Sequence, residues 1–126
     1  MSNGKADFKN TVLMINKAKA SIKIDRDPNF DDMKLIFDGI TTMSPYTLDP
    51  GKQVHVGSTY GTDMGVCLTY SSNDRYMELG MGPDSGTDLK VFSVISDSGD
   101  DGSGPLTYQV QDQTAVSMTM TFADKS

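Results

Sequence analysis

Apolar positions recur in short segments about every 8 to 15 residues, separated by clusters of Gly, Pro, Asp, Asn and Ser. Within those segments the period is two, not the three-to-four of a helix, and no window offers a dozen positions of helical spacing. The pattern predicts strands at TVLMI (11–15), ASIKID (20–25), KLIFD (34–38), QVHV (53–56), GVCLTY (65–70), RYMELGM (75–81), LKVFSVI (89–95), LTYQVQ (106–111) and AVSMTMTF (115–122). The last alternates most cleanly, with Val116, Met118, Met120 and Phe122 expected on one face and Ser117, Thr119 and Thr121 on the other. Ala20, Ile22 and Ile24 alternate with Ser21, Lys23 and Asp25 in the same way, and Val91, Ser93 and Ile95 are offset by Phe92 and Val94.

Parallel sheets need long crossovers, usually helical, and none is legible. The expectation is therefore an all-β, single-domain antiparallel β-sandwich over residues 11–126, preceded by a flexible arm at 1–10. The turns carry their own chemistry. SSND (71–74) reads as a tight hairpin connection, and LDPGK (48–52) sets Pro then Gly where a type II turn wants them. SDSGDDGSGP (96–105) is acidic and glycine-rich, which predicts a mobile surface loop.

A chain of 126 residues suits one domain, and its 37% apolar content suffices for a core. Seventeen Asp and Glu against eleven Lys and Arg leave a net charge of −6, which repels nucleic acid and anionic lipid. No nucleic-acid partner is expected. One cysteine, Cys67, permits no internal disulfide. The first 30 residues show no signal-peptide pattern, so synthesis in the cytoplasm is expected, with any release following another route.

Gly57, Gly61 and Gly65 stand four residues apart, the spacing of a membrane-helix contact, but no apolar run approaches the ~20 residues a span requires. A phosphate loop would need a Lys and a helix after the glycines, whereas Gly65 leads into Val66-Cys67-Leu68. The glycines are left with backbone geometry at a strand connection.

No enzyme is expected. The only histidine, His55, lies between two valines, and no Gly-x-Ser-x-Gly signature occurs. A Cys67–His55 dyad is arithmetically available from neighbouring strands, yet Cys67 between Val66 and Leu68 reads as a buried, inert thiol. Two Cys and His residues are too few for structural zinc. Calcium is more open: Asp97, Asp100 and Asp101 share one glycine-rich loop, and Asp25, Asp27, Asp31 and Asp32 another, although neither has EF-hand spacing. Solvated acidic loops are the blander explanation of both. Tyr46, Tyr60, Met64, Tyr70 and Tyr76 fall at strand ends or turns and are the candidate membrane or partner contacts, since Tyr is amphipathic and Met adapts to irregular surfaces.

The block LDPGKQVHVGSTYGTDMGVCLTYSSNDRYMELGMGPDSG is similar to the central part of the aegerolysins, small acidic β-sandwich proteins. The shared order is Pro50-Gly51-Lys52, a glycine-rich loop from Gly57 to Gly65, the strand Val66 to Tyr70, a turn at Ser71 to Asp74, the strand Arg75 to Met81, and Gly82-Pro83. SDSGDDGSGPLTYQVQDQ most resembles the small aegerolysin-type component of bacterial binary insecticidal toxins, with a Gly/Ser loop before a Thr-Tyr strand. The resemblance covers roughly residues 39–112. It implies a protein that binds particular membrane lipids and works with a larger perforin-like pore-forming partner in cytolysis. Fungal members rely on tryptophan for headgroup contact, and this chain has none, so no lipid-contact residue carries over. The other readings are a Ca²⁺-dependent carbohydrate-binding or structural sandwich, and a self-assembling protein joined through edge strands.

Overall fold

Period-two patterns become strands when their apolar faces meet. The computed structural model describes residues 11–27, 34–42, 45–59, 64–83, 88–96 and 105–124. The arm at 1–10, Tyr60 and the acidic loop at 97–104 lie outside the described residues. The described residues form eleven strands: β1 (Thr11–Asn16), β2 (Ile22–Arg26), β3 (Leu35–Phe37), β4 (Ile40–Thr42), β5 (Tyr46–Leu48), β6 (Gln53–Ser58), β7 (Met64–Tyr70), β8 (Arg75–Pro83), β9 (Leu89–Ser96), β10 (Leu106–Gln111) and β11 (Ser117–Asp124). They form a six-stranded sheet in the order β10-β11-β1-β6-β3-β4 and a five-stranded sheet in the order β5-β2-β7-β8-β9. The all-β sandwich expected from the alternation is what the chain forms.

One pair departs from the antiparallel rule. β1 and β11 run parallel, with Met14 opposite Met120. A parallel neighbour needs a long connection rather than a helix as such, and here the rest of the sandwich is that connection. Val12, Met14, Val54, Val56, Met118, Met120 and Phe122 face inward from the six-stranded sheet. Ile22, Ile24, Val66, Leu68, Met77, Leu79 and Met81 meet them from the other, all essentially without exposure. Each such side chain contributes roughly 1.5–3 kcal/mol by leaving water.

Two strands escape the sequence pattern because three residues show no period. β4 follows Asp38-Gly39, whose φ angles of 50° and 87° are the double positive pair of a type I′ hairpin. β5 is held by pairing with β2, Leu48 opposite Ile22. After it, Lys52 N–H donates to the Asp49 carbonyl at 3.1 Å and Gly51 has φ 78°, the type II turn that Pro50-Gly51 predicts. That turn carries the chain from one sheet to the other. The 71–74 connection is the expected hairpin, closed by Asp74 N–H on the Tyr70 carbonyl at 2.8 Å.

Two face assignments need correction. Val116 is 53% exposed, outside the inward row of β11, because the Thr114 hydroxyl accepts the N–H groups of Val116 and Ser117 and turns the chain before the strand begins. On β9, Ser93 opposes Gly80 but Val91 opposes Met81, so Phe92 is an extra residue in the ladder. Past this bulge the alternation changes phase: Val91 and Val94 pack on the core, and Phe92 and Ile95 are exposed.

Polar clasps hold one end of the sandwich. Buried Asn16 donates its amide to the carbonyls of Ala20 (3.0 Å) and Leu48 (2.9 Å) and accepts from Ala18 N–H (2.8 Å). Its backbone bonds Lys52 and Gly51. Tyr70, 4% exposed, donates its hydroxyl to Asp124, whose other oxygen accepts Lys19 N–H at 2.9 Å. Asp124 as acceptor, then burial, hold the Tyr70 phenol above its ordinary pKa.

Asn16→Ala should lower the unfolding free energy in urea by roughly 2–4 kcal/mol, since it strands buried backbone groups. Asn16→Asp should do no better, because a carboxylate cannot donate to Ala20 and Leu48. For Tyr70, a folded pKa above the unfolded value means stability that is complete below pH ~10 and declines as pH rises through the folded pKa. In a Cys67→Ala background, urea melts at rising alkaline pH should therefore show a smaller loss for Tyr70→Phe than for Tyr70.

Candidate functional site

The inward row of β8, Met77, Leu79 and Met81, leaves Tyr76, Glu78 and Gly80 on the outer face of the five-stranded sheet. Next to them on edge strand β9 are Ile95, opposite Glu78, and Phe92 at the bulge. The exposures are 39% for Tyr76, 54% for Phe92 and 43% for Ile95, three large apolar side chains on two adjacent strands. Phe92 leans across Gly80: a Cβ there would meet its Cε1 at 2.9 Å. The glycine is thus a close approach for the ring.

Glu78 stands in the middle of this patch. Tyr76 and Gly80 are two residues away along β8, on the order of 6.5 Å each, and Cys67 and Ile95 flank it on the neighbouring strands. Partial burial, and then the negative charge of Asp27, raise its carboxyl pKa. A partly shielded carboxylate with Tyr76 on its own strand and Phe92 on the next is suited to a weakly hydrated cation, which gains from both the charge and the ring faces.

Cys67 lies on the same outer face, opposite Asp25 on β2 and Glu78 on β8. Burial, followed by the charges of Glu78, Asp25 and Asp27, pushes its thiol up to about 11. His55 cannot assist it. β6 and β7 are consecutive but belong to different sheets, so the two residues do not face each other as a dyad. Among the described residues no three His, Cys, Asp or Glu side chains gather where they could hold a metal ion.

The outer face of the six-stranded sheet is different in kind. One row crosses it as Gln111, Thr119, Leu13 and His55, and the next as Gln109, Thr121, Ile15 and Gln53. These two rows form a hydrogen-bonding surface with two half-buried aliphatic side chains and one ionisable group of their own, His55, and Asp38 and Asp112 stand beside them. A hollow of about 190 Å³ opens there, lined by Thr11, Leu13, His55, Ser117 and Thr119 with Asp112 at its edge and Met118 behind. His55 Nδ1 lies 3.6 Å from Asp38, whose carboxylate also accepts the His55 backbone N–H at 2.9 Å.

Of the described contact residues read from the sequence, only Tyr76 joins the exposed patch. Met64 is 1% exposed and Tyr70 belongs to the Asp124 clasp, so neither offers a surface to a membrane. Tyr46 is half-buried and stacks on Phe37 with ring centroids 4.8 Å apart. Tyr60 and the calcium candidates Asp97, Asp100 and Asp101 lie outside the described residues. Phe92 and Ile95 do not stand out in the sequence, because an unbroken alternation places Ile95 with Val91 and Ser93 on one face and Phe92 with Val94 on the other. The signal that exposes them is Gly80, an isolated glycine within a strand pattern, which marks bulges.

Iodoacetamide should alkylate Cys67 slowly at pH 8, because a rise from 9.0 to about 11 leaves ~100-fold less thiolate than an ordinary thiol. Glu78→Gln should accelerate it by removing the first of the neighbouring charges, measured by mass spectrometry against time.

No family model matches the chain, and no curated protein matches it either.

Proposed function

We propose that the protein is a non-enzymatic binding module for a zwitterionic membrane lipid or a cell-surface receptor, and the small component of a two-component cytolysin with a larger perforin-like partner. The observation that carries the binding role is the patch formed by Tyr76, Phe92 and Ile95 around Glu78. Scattered exposed apolar residues are ordinary, but a contiguous group on one sheet edge favours an apolar partner. The two-component role rests on the resemblance of residues 39–112 to the aegerolysins.

Electrostatics narrows the target. The chain carries −6 overall, and Glu78, Asp25 and Asp27 share the five-stranded sheet with the patch, so an anionic headgroup is repelled. A zwitterionic headgroup presents its ammonium outermost. That cation suits Glu78 between the rings of Tyr76 and Phe92, while Phe92 and Ile95 reach the interfacial region.

The protein should sediment with vesicles of phosphatidylcholine or sphingomyelin, or with gut-epithelial membrane extract, and less with phosphatidylserine vesicles. Phe92→Ser and Ile95→Ser should each reduce the bound fraction by roughly tenfold in partition constant. Met64→Leu, a core change, should leave it unaltered. Absence of sedimentation with every zwitterionic composition and with the extract overturns the proposal.

A further inference from the structure

We propose that the hollow beside His55, on the outer face of the six-stranded sheet, binds the ring of a neutral saccharide without a metal ion. This site is separate from the Tyr76–Phe92–Ile95 patch, which lies on the other sheet. Its size comes first. About 190 Å³ is below the roughly 300–1,000 Å³ of pockets for drug-sized ligands, and suits one small ring.

The lining suits the chemistry of a polyol. The hydroxyls of Thr11 and Thr119 have no hydrogen-bond partner among the described residues, so both can give and accept. Ser117 is oriented by its neighbour. The Thr114 hydroxyl oxygen accepts two backbone N–H groups, from Val116 at 3.2 Å and Ser117 at 3.0 Å, which occupies both lone pairs. With its lone pairs so occupied, Thr114 has one proton to give, to the Ser117 hydroxyl at 2.9 Å or to the Ser117 carbonyl at 3.5 Å, and the nearer contact leaves the Ser117 proton for a ligand oxygen. Half-buried Leu13 supplies an aliphatic surface for ring C–H groups, and the Asp112 carboxylate can accept from two adjacent hydroxyls. Asp38 stands on the Nδ1 side of His55, so Nε2 is the nitrogen left to a ligand.

Charge excludes the competing ligand classes. Asp112 and Asp38 repel an anion, and among the described residues no lysine or arginine lines the hollow to hold one. A cation would find one carboxylate at the edge and hydroxyls elsewhere. An uncharged ligand that replaces water's hydrogen bonds one for one matches the lining best.

The test is a titration of the whole chain with D-glucose, D-galactose, D-mannose and N-acetyl-D-glucosamine, each through the millimolar range, in EDTA, followed by amide NMR. At least one should give saturable shifts at Leu13, His55, Ser117 and Thr119. Thr119→Val keeps the side-chain shape and should weaken that binding about fivefold, the loss of one hydroxyl hydrogen bond. It should leave vesicle sedimentation unchanged, which separates this site from the apolar patch. The proposal is overturned if none of the four sugars produces saturable shifts at these amides, if the shifts require calcium, or if Thr119→Val and His55→Ala both bind as the parent does while melting at its temperature.

Discussion

The two sheets are held at one end by hydrogen bonds that converge on a single buried amide. Asn16 ends β1, and its side chain bonds the backbone of both nearby passages between the sheets: Ala18 and Ala20 on the way to β2, and Leu48 at the end of β5. Its own backbone fastens the turn at Gly51 and Lys52 that leads back to β6. Apolar burial presses sheets together without direction, whereas this amide fixes where each chain crosses. Tyr70 and Asp124 add a second clasp from β7 to β11 through the same crossing, at Lys19. With the crossings fixed, β1 and β6 lie side by side in one sheet, and β2 and β5 in the other.

The two outer faces inherit their character from that arrangement. Once the apolar rows of β7, β8 and β11 are committed inward, the residues between them have only one place to go. On the five-stranded sheet this brings carboxylates, a thiol and, past the bulge of β9, two apolar side chains to one surface. On the six-stranded sheet it brings together threonine, glutamine and serine from strands far apart in sequence. The parallel pairing of β1 with β11 sets Leu13 beside Thr119, and the antiparallel pairing of β1 with β6 sets Leu13 beside His55. The hollow exists because those two ladders share β1.

Much of the fold was legible in the alternation. Met118, Met120 and Phe122 are buried as their spacing requires, and Ile22 and Ile24 likewise. The short strands β4 and β5 were not legible by period, although Asp38-Gly39 is a hairpin dipeptide between apolar neighbours and signals β4 locally. The candidate site was less legible. Tyrosines at strand ends look alike in sequence, but Tyr70 is buried against Asp124, Tyr46 stacks on Phe37, and Tyr76 faces outward. The difference lies in what stands opposite each one, which spacing does not encode.

What the sequence determined by itself is nine of the eleven described strands, the inward face of each regular strand and the turn at Pro50-Gly51. These follow from local rules, since side chains alternate across a strand and glycine takes positive φ, whereas the expected burial of Cys67 gives way to a half-buried place on the outer face, because its apolar neighbours point the other way. The tertiary structure alone decided the parallel closure of β1 on β11, the exposure of Phe92 and Ile95, the role of Asn16, and the meeting of His55 with Thr119. Each depends on register between segments distant in the chain, and a single extra residue in one ladder moves every later side chain to the opposite face.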